Sequence, residues 1–512
     1  MLKGSLCAII LLNFWCCKND DDPAPVVSAT HTYYVAATGN NSNPGTKDAP
    51  FKSINHGLSK ILPGDTLLVR GATYHEKVSF PKSGTPGNYI VLGAYPGEVP
   101  VIDGTPLSVT GKEALVTIRN ANYVVFEGFV VRNFKSTTPW VNVNGILADE
   151  GSSNIIIRKN KIHNIEHNVK PEDGRSGHGI EIIGNTPVPM TNVLVEENEI
   201  HDCNTGYSEN LTINGYVDGF IIRKNKIYNA ENIGIDAAGG YWANNIPAHN
   251  YARNGIISDN EIFDIDMTTG PVGTPNGANT GHGAIGIYVD GARNIIVERN
   301  KVYNADRGIG IVSENDAYPT ENCIVRNNFV YNCWRTGIYL GGYLGHTGGG
   351  TNNCYVVNNT LFFNNKGPGA FGEIEGEIRL TEHCNNNVIQ NNIVYARDEN
   401  DVFVHKYTTT GSNNVIDYNL YYTSGTATWI WQGTPYTDFE AWRSACGGDA
   451  ASTHGIDPLL ANTINPDLHI QSASPARNSG RVISEEINGT MDIDGNTRIV
   501  NSKISKGAQQ YP

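Results

Sequence analysis

The sequence predicts an all-β solenoid, a stack of coils each made of short strands joined by bends. Three observations point there. Charged residues are only 17% of the 512-residue chain, while glycine alone contributes 56 residues and asparagine and threonine are also abundant, a composition that suits short strands and many turns rather than long helices. From Asn122 one unit recurs: an Asn-x-Ile strand, a turn asparagine, Ile or Val, and often Tyr or His before Asn or Asp. Each coil then carries a second strand of the form Gly-Ile-x-Ile (GIEII, GIDAA, GIYVD, GIGIV, GIYLG). The turn asparagines are Asn160, Asn198, Asn225, Asn260, Asn300, Asn328, Asn359, Asn392 and Asn419, spaced 27 to 40 residues apart. Variable loops on a constant unit mark a repeat architecture, whose coils pack only on their neighbours and so escape the usual size limit of a single domain.

Residues 1–16 read as a targeting segment, with Lys3 as a short basic region and Leu2 to Trp15 as an apolar stretch too short to span a bilayer. The segment resembles a bacterial lipoprotein signal, and the Lys-then-acidic run after Cys16-Cys17 resembles the surface-export signal of Bacteroidetes lipoproteins. That resemblance implies acylation of Cys17, with Cys16 as the alternative. It also implies an outer-membrane surface lipoprotein (or a secreted or periplasmic protein) attached to the membrane only through its lipid. Residues 17–31 form the tether. The net charge of −14 argues against a nucleic-acid partner, and a monomer is expected.

Residues 32–121 form an N-terminal cap and the first coils. The strand TYYVAAT precedes SINHGLSKI, in which Ile54, Leu58 and Ile61 fall at helical spacing, and Pro63-Gly64-Asp65 ends the run. A short amphipathic helix here covers the open edge of the first coil. Residues 122–420 are the coils that carry the site. Asparagine at one position in coil after coil suits a ladder of amide hydrogen bonds, and asparagine tolerates the left-handed backbone of a bend. Residues 421–512 are the last coils and a tail that packs back on them; Asp492 and Asp494 sit in a turn there, as plain turn chemistry or a calcium site.

In the Gly-Ile-x-Ile strand the isoleucine points inward and the next residue outward. Aligned this way, Glu181, Glu209, Asp236, Tyr288, Gly310, Tyr339 and Arg379 form one outward file. Neighbouring parallel strands lie ~4.8 Å apart, so Glu209 and Asp236 are expected about 5 Å apart and Glu181 roughly 9 to 10 Å from Asp236. Asp290 and Glu314 widen the acidic patch. Carboxylates in file repel, so such a row implies a protonated member, a basic group or a cation. One chemistry is glycoside hydrolysis by a carboxyl pair; the other is calcium-assisted β-elimination on a uronate, with Glu209, Asp236, Asp290 and Glu314 as candidate calcium ligands and a basic residue removing the proton. Arg307 and Arg335 stand at the start of this strand, Arg379 lies in the file, and no lysine falls on the acidic coils. His178 and His282 lie in Gly-rich lead-ins where an imidazole could face the cleft. Glu181, Glu209, Asp236, Arg307 and His282 are thus the catalytic candidates. Tyr288, Tyr339, Tyr241, Trp242, His178, Arg335 and Arg379 are the substrate-binding ones, with Tyr207 beside them.

By cap, repeat and tail, the chain from Thr32 to Pro512 resembles right-handed parallel β-helix proteins of the pectate-lyase superfamily, polysaccharide lyase family nine above all. The resemblance implies a right-handed parallel β-helix acting on a polysaccharide or oligosaccharide, with aspartate-bound calcium and a catalytic lysine; Glu209 and Asp236 match the first, and nothing in the file matches the second. The same scaffold serves hydrolases and adhesins. A polysaccharide lyase, a glycoside hydrolase and a glycan-binding solenoid are therefore the three expected functions, in that order.

Overall fold

The computed structural model describes residues 29–268, 281–368, 374–399 and 402–511; the leader, Cys17 and most of the tether lie outside them. Three long parallel sheets of 16, 13 and 13 strands run the length of the molecule, the right-handed parallel β-helix that the repeat predicts. Each complete coil contributes one strand to each sheet. Among the described residues, no helix is long and apolar enough to cross a membrane.

The third sheet carries the Gly-Ile-x-Ile strands. Its inward positions align Ile146, Ile180, Leu211, Ile235, Ile287, Ile309, Ile338 and Ile378 in one column, each with no exposed surface. Burial of each such side chain contributes roughly 1.5–3 kcal/mol, which locks the outward residues in register, because a one-residue slip would turn the whole column to solvent.

The asparagine ladder is continuous. Asn160 donates its backbone N–H and its side-chain amide to Asn198 Oδ1, both at 3.1 Å. The same pair of bonds recurs through Asn225, Asn260, Asn300, Asn328, Asn359 and Asn392 to Asn419, whose N–H ends the series on Ser452 Oγ at 2.8 Å. The expectation of left-handed backbone at these asparagines needs correction. The residue before each one takes it: Lys159, Glu197, Lys224, Asp259, Arg299, Asn327, Asn358, Asn391 and Tyr418 all have φ between 52° and 60°. The bend turns one residue early, and this frees the asparagine amide to point along the axis. Asn225→Ala leaves the Asn198 donors and Val195 O without their buried partner, and Asn260 Oδ1 with only the backbone N–H of residue 225, so a stability loss of about 3 kcal/mol is expected in urea denaturation.

The capping helix forms at Ile54–Lys60, with Ile54, Leu58 and the following Ile61 buried. Glu76 rather than Ser53 holds its N-terminus, accepting from the N–H groups of Ile54 at 2.8 Å and Asn55 at 3.1 Å. At the other end the tail folds back: Leu460, Leu468, Ile470 and Ile493 pack on Phe329, Phe362, Ile393 and Leu420, outward residues of the second sheet. Asp492 there accepts from the N–H groups of Asp494, Asn496 and Gln510, which is turn chemistry.

Candidate active site

The outward face of the third sheet is a grid. Its central file runs Glu181, Thr212, Asp236, Tyr288, Gly310, Tyr339, Arg379 and His405. Glu209 is not in it, which corrects the sequence alignment: Thr212 takes the place expected for Glu209, fourteen residues rather than eleven after its ladder asparagine. The bend before the strand Glu209–Gly215 carries three extra residues, so an acid at the expected count falls three residues before the central file, level with His178 and Ile233. The two acids still share one sheet face. His178 Nδ1 lies 3.4 Å from Glu209 Oε2, and His178 Nε2 3.9 Å from Glu181 Oε1. A third file places Asn214, Ala238 and Asp290 beside the central one, and Glu314 stands just past the end of the strand Arg307–Ser313.

A lysine does reach this face, against expectation. Lys112, two coils before Glu181, donates to Glu181 Oε1 at 2.6 Å. It comes from 69 residues away, so counting along the acidic coils misses it; the strand pattern of Lys112–Arg119 is the signal that could have placed it. Burial dominates the remaining acids. Burial pushes the Glu209 carboxyl up to about 8, aided by the Glu181 charge. Burial, then Glu209 and Asp290, raises Asp236 well above the usual carboxylate range, and burial with Glu314 does the same to Asp290. Burial lowers His178, which keeps its ring neutral.

Raised carboxyls hold protons in the folded protein that the unfolded chain has lost, so stability is full below about pH 4 for these groups and falls as pH rises. Melting temperature is expected to fall between about pH 5 and pH 8, the value near which Glu209 ionises. Asp236→Asn should flatten that slope; an unchanged slope would refute the assignment.

Two loops complete the site. The Tyr241 hydroxyl bridges the pair of acids, bonding Asp290 Oδ2 and, at 3.1 Å, Glu314 Oε2. Glu314 also accepts from the hydroxyls of Tyr288 at 2.9 Å and Tyr343 at 2.6 Å, and its N–H donates to Asp290 Oδ1 at 2.8 Å. Gly240 makes this possible: at φ 90° it lies so close to the Glu314 loop that a Cβ would meet Asn315 and Tyr318 at 2.9 Å. Asp316 fixes the loop carrying Tyr343 by accepting from the N–H groups of Thr347, Gly348 and Gly349, each at 2.7 Å.

Calcium at Glu209, Asp236, Asp290 and Glu314 would have to displace hydrogen bonds that two of them already make. Asp290 and Glu314 spend their oxygens on tyrosine hydroxyls and a backbone N–H, and Ca²⁺ requires six to eight converging oxygens. Among the described residues, three side-chain ligand atoms gather within 4.8 Å only at Asp266, His282 and Asp306. His282 therefore lies off the acidic face, at 2.6 Å from Asp306 Oδ1 and stacked on Trp334. Burial opposes the charge on its ring, but Asp306 outweighs burial and the net shift is upward.

The three arginines also gather elsewhere than expected. Arg307, Arg335 and Arg379 converge on buried Glu375, a residue the sequence reading missed, at 3.2 Å for Arg307 and 2.5 Å for Arg335. Tyr288 and Tyr339 stack between this cluster and the acids, with ring centroids 6.1 Å apart, and the Arg307 guanidinium lies 5.1 Å from the Tyr339 ring centroid. Trp242 is 84% exposed on the rim and Tyr207 is exposed on the opposite edge.

Comparison with known proteins agrees with this architecture. Residues 33–231 match the family described as Pel9A-like, right handed beta helix region. The chain is 30% identical over 480 residues to the uncharacterized protein YwoF of Bacillus subtilis, covering 93% of this chain and 98% of that one. Over 91 residues it is 36% identical to pectate lyase PEL9 of Emericella nidulans, covering 17% of this chain and 22% of that protein. Among solved structures, a GH136 lacto-N-biosidase from Eubacterium ramulus superposes with a TM-score of 0.50 at 16% identity, over 76% of this chain and 67% of that one. The chain belongs to the right-handed parallel β-helix proteins of the pectate-lyase superfamily, in one family with YwoF.

Proposed function

We propose that the protein is a carbohydrate-active enzyme that hydrolyses a glycan, with Asp290 and Glu314 as the reacting pair. The bridge made by the Tyr241 hydroxyl carries this reading. Two oxygens bonded to one hydroxyl are separated by at most about two hydrogen-bond lengths, ~6 Å, which suits the ~5–5.5 Å of a retaining pair. Asp290, its proton held by burial and by the neighbouring Glu314 charge, donates that proton to the leaving oxygen. Glu314, an acceptor in each of its three hydroxyl bonds, attacks the anomeric carbon as the bond to the leaving oxygen breaks; water deprotonated by Asp290 then cleaves the resulting ester, which frees Glu314 and returns the proton to Asp290. The substrate oxygen takes the place that the Tyr241 hydroxyl occupies between the two carboxyls.

The lyase reading draws its support from the Pel9A-like match and from pectate lyase PEL9. That family match ends at residue 231, before Asp236, Asp290 and Glu314, and so supports the coils rather than the pair. Incubation with plant and algal polysaccharides, with and without chelator, tests both. New saturated reducing ends that survive chelation support hydrolysis; chelator-sensitive, ultraviolet-absorbing unsaturated ends would overturn it in favour of elimination.

A further inference from the structure

Resting on the hydrolytic reading, we infer that Glu181, Asp236 and Asn214 form a sugar-binding subsite beside the reacting pair, and that this subsite accepts an uncharged ring and rejects a uronate. Three observations carry it. First, Glu181 Oε2, Asp236 Oδ1 and Asn214 Oδ1 are buried and lack hydrogen-bond partners, although Glu181 and Asp236 are only 5% and 3% exposed. Buried polar atoms are normally paired, so three orphans on successive coils of one outward face point to a ligand that pairs them. Second, the grid puts them in line with the chemistry: Asp236 neighbours Tyr288 in the central file, and Asn214 precedes Ala238 and Asp290 in the next. Third, the charge is one-sided. Glu181, Glu209, Asp236, Asp290 and Glu314 share this face, and the cation paired with them is Lys112, already bonded to Glu181.

A ring carrying a carboxylate or sulfate would bring an anion onto a face where burial and neighbouring acids already hold Glu209, Asp236 and Asp290 in their protonated forms, so it meets the same opposition that keeps those carboxyls from ionising. A neutral ring brings hydroxyl groups, each able to donate to Glu181 Oε2 or Asn214 Oδ1 and to exchange a bond with Asp236. Lys112, by holding Glu181 Oε1, leaves Oε2 aimed at the ligand; it is a positioning residue. β-Elimination needs a carboxylate on the ring that loses its proton, so a neutral ring here also explains why the file offers no base placed beside a uronate.

The test is binding by the full chain carrying Glu314→Gln, which slows cleavage of bound glycan, on an array of xylan, β-mannan, arabinan and galactan beside homogalacturonan and alginate. The expected result is retention on at least one neutral glycan and none on the two uronate polymers. Glu181→Gln, which replaces the orphan acceptor with a donor, and Asn214→Ala, which removes another, are each expected to weaken that retention at least tenfold with the melting temperature unchanged. Retention on homogalacturonan or alginate, no retention on any probe, or undiminished binding by both variants overturns the subsite. The two readings fail separately. If the wild type retains a neutral glycan but releases no reducing ends from it, hydrolysis falls and the subsite stands; if it hydrolyses a uronate polymer, the subsite falls.

Discussion

Glu314→Gln is expected to lower kcat on the cleaved glycan by about 10²- to 10⁴-fold while KM changes little, because the carboxylate acts on the anomeric carbon mainly in the transition state. Asp290→Asn should give a loss of the same order on natural substrates. Its pattern should differ on aryl glycosides: a phenol that departs without a proton needs no acid, so cleavage of the first bond recovers much of its rate. Equal loss on both kinds of substrate would show that Asp290 does not protonate the leaving group. Tyr241→Phe separates bridge from pair, since it keeps the ring but removes the hydroxyl that both carboxyls share. With the bridge gone, Asp290 and Glu314 are held only by the Glu314 N–H bond and the Tyr288 and Tyr343 hydroxyls.

The largest effect on stability is expected at Arg175. Its Nη2 bonds Glu231 Oε1 at 2.5 Å, and both side chains are fully buried. Arg175→Ala strands an uncompensated carboxylate, so a loss of about 3–5 kcal/mol is expected in chemical denaturation at neutral pH. Burial already raises the Glu231 carboxyl despite Arg175, and without the arginine it rises further. Stability of the variant should therefore recover as pH falls and Glu231 takes up a proton; a deficit independent of pH would mean that packing, not charge, is lost. The pair sits under the bend at residues 203–208, where a Cβ on Gly206 would meet the Arg175 side chain at 2.7 Å. It thus braces the insertion that sets Glu209 back from the central file.

That insertion shows where sequence reading succeeds and where it stops. The ladder and the isoleucine column were legible because each coil repeats the same local requirement, an amide on the axis and an apolar side chain inward. Asp236, Tyr288, Tyr339 and Arg379 followed from that register and lie in the file. Glu209 did not, because three residues added to a bend leave no periodic trace, and an acid at the expected count masked the shift. Lys112, Tyr343 and Glu375 were missed for another reason. Lys112 and Tyr343 meet the acids from 69 and 29 residues away, and Glu375, though only four residues before Arg379, meets Arg335 and Arg307 from 40 and 68; convergence between distant coils leaves no signature within either. The calcium expectation rested on counting carboxylates, and such a count does not show the hydroxyls that meet them: Tyr241 and Tyr343 come from loops, and Tyr288 from the strand that carries Asp290.

The unbroken chain of amides from Asn160 to Ser452 has a mechanical consequence. Every coil is tied to the next by the same two bonds at the same distance from the axis, so the rod has no intrinsically weak plane along that line. Under axial tension, rupture begins where the series ends, at Phe129 on one side and Ser452 on the other, and proceeds coil by coil toward the middle. The Asp290 coil lies near the midpoint of that series and is among the last to open, so the face carrying the acids is the part of the rod best protected from fraying.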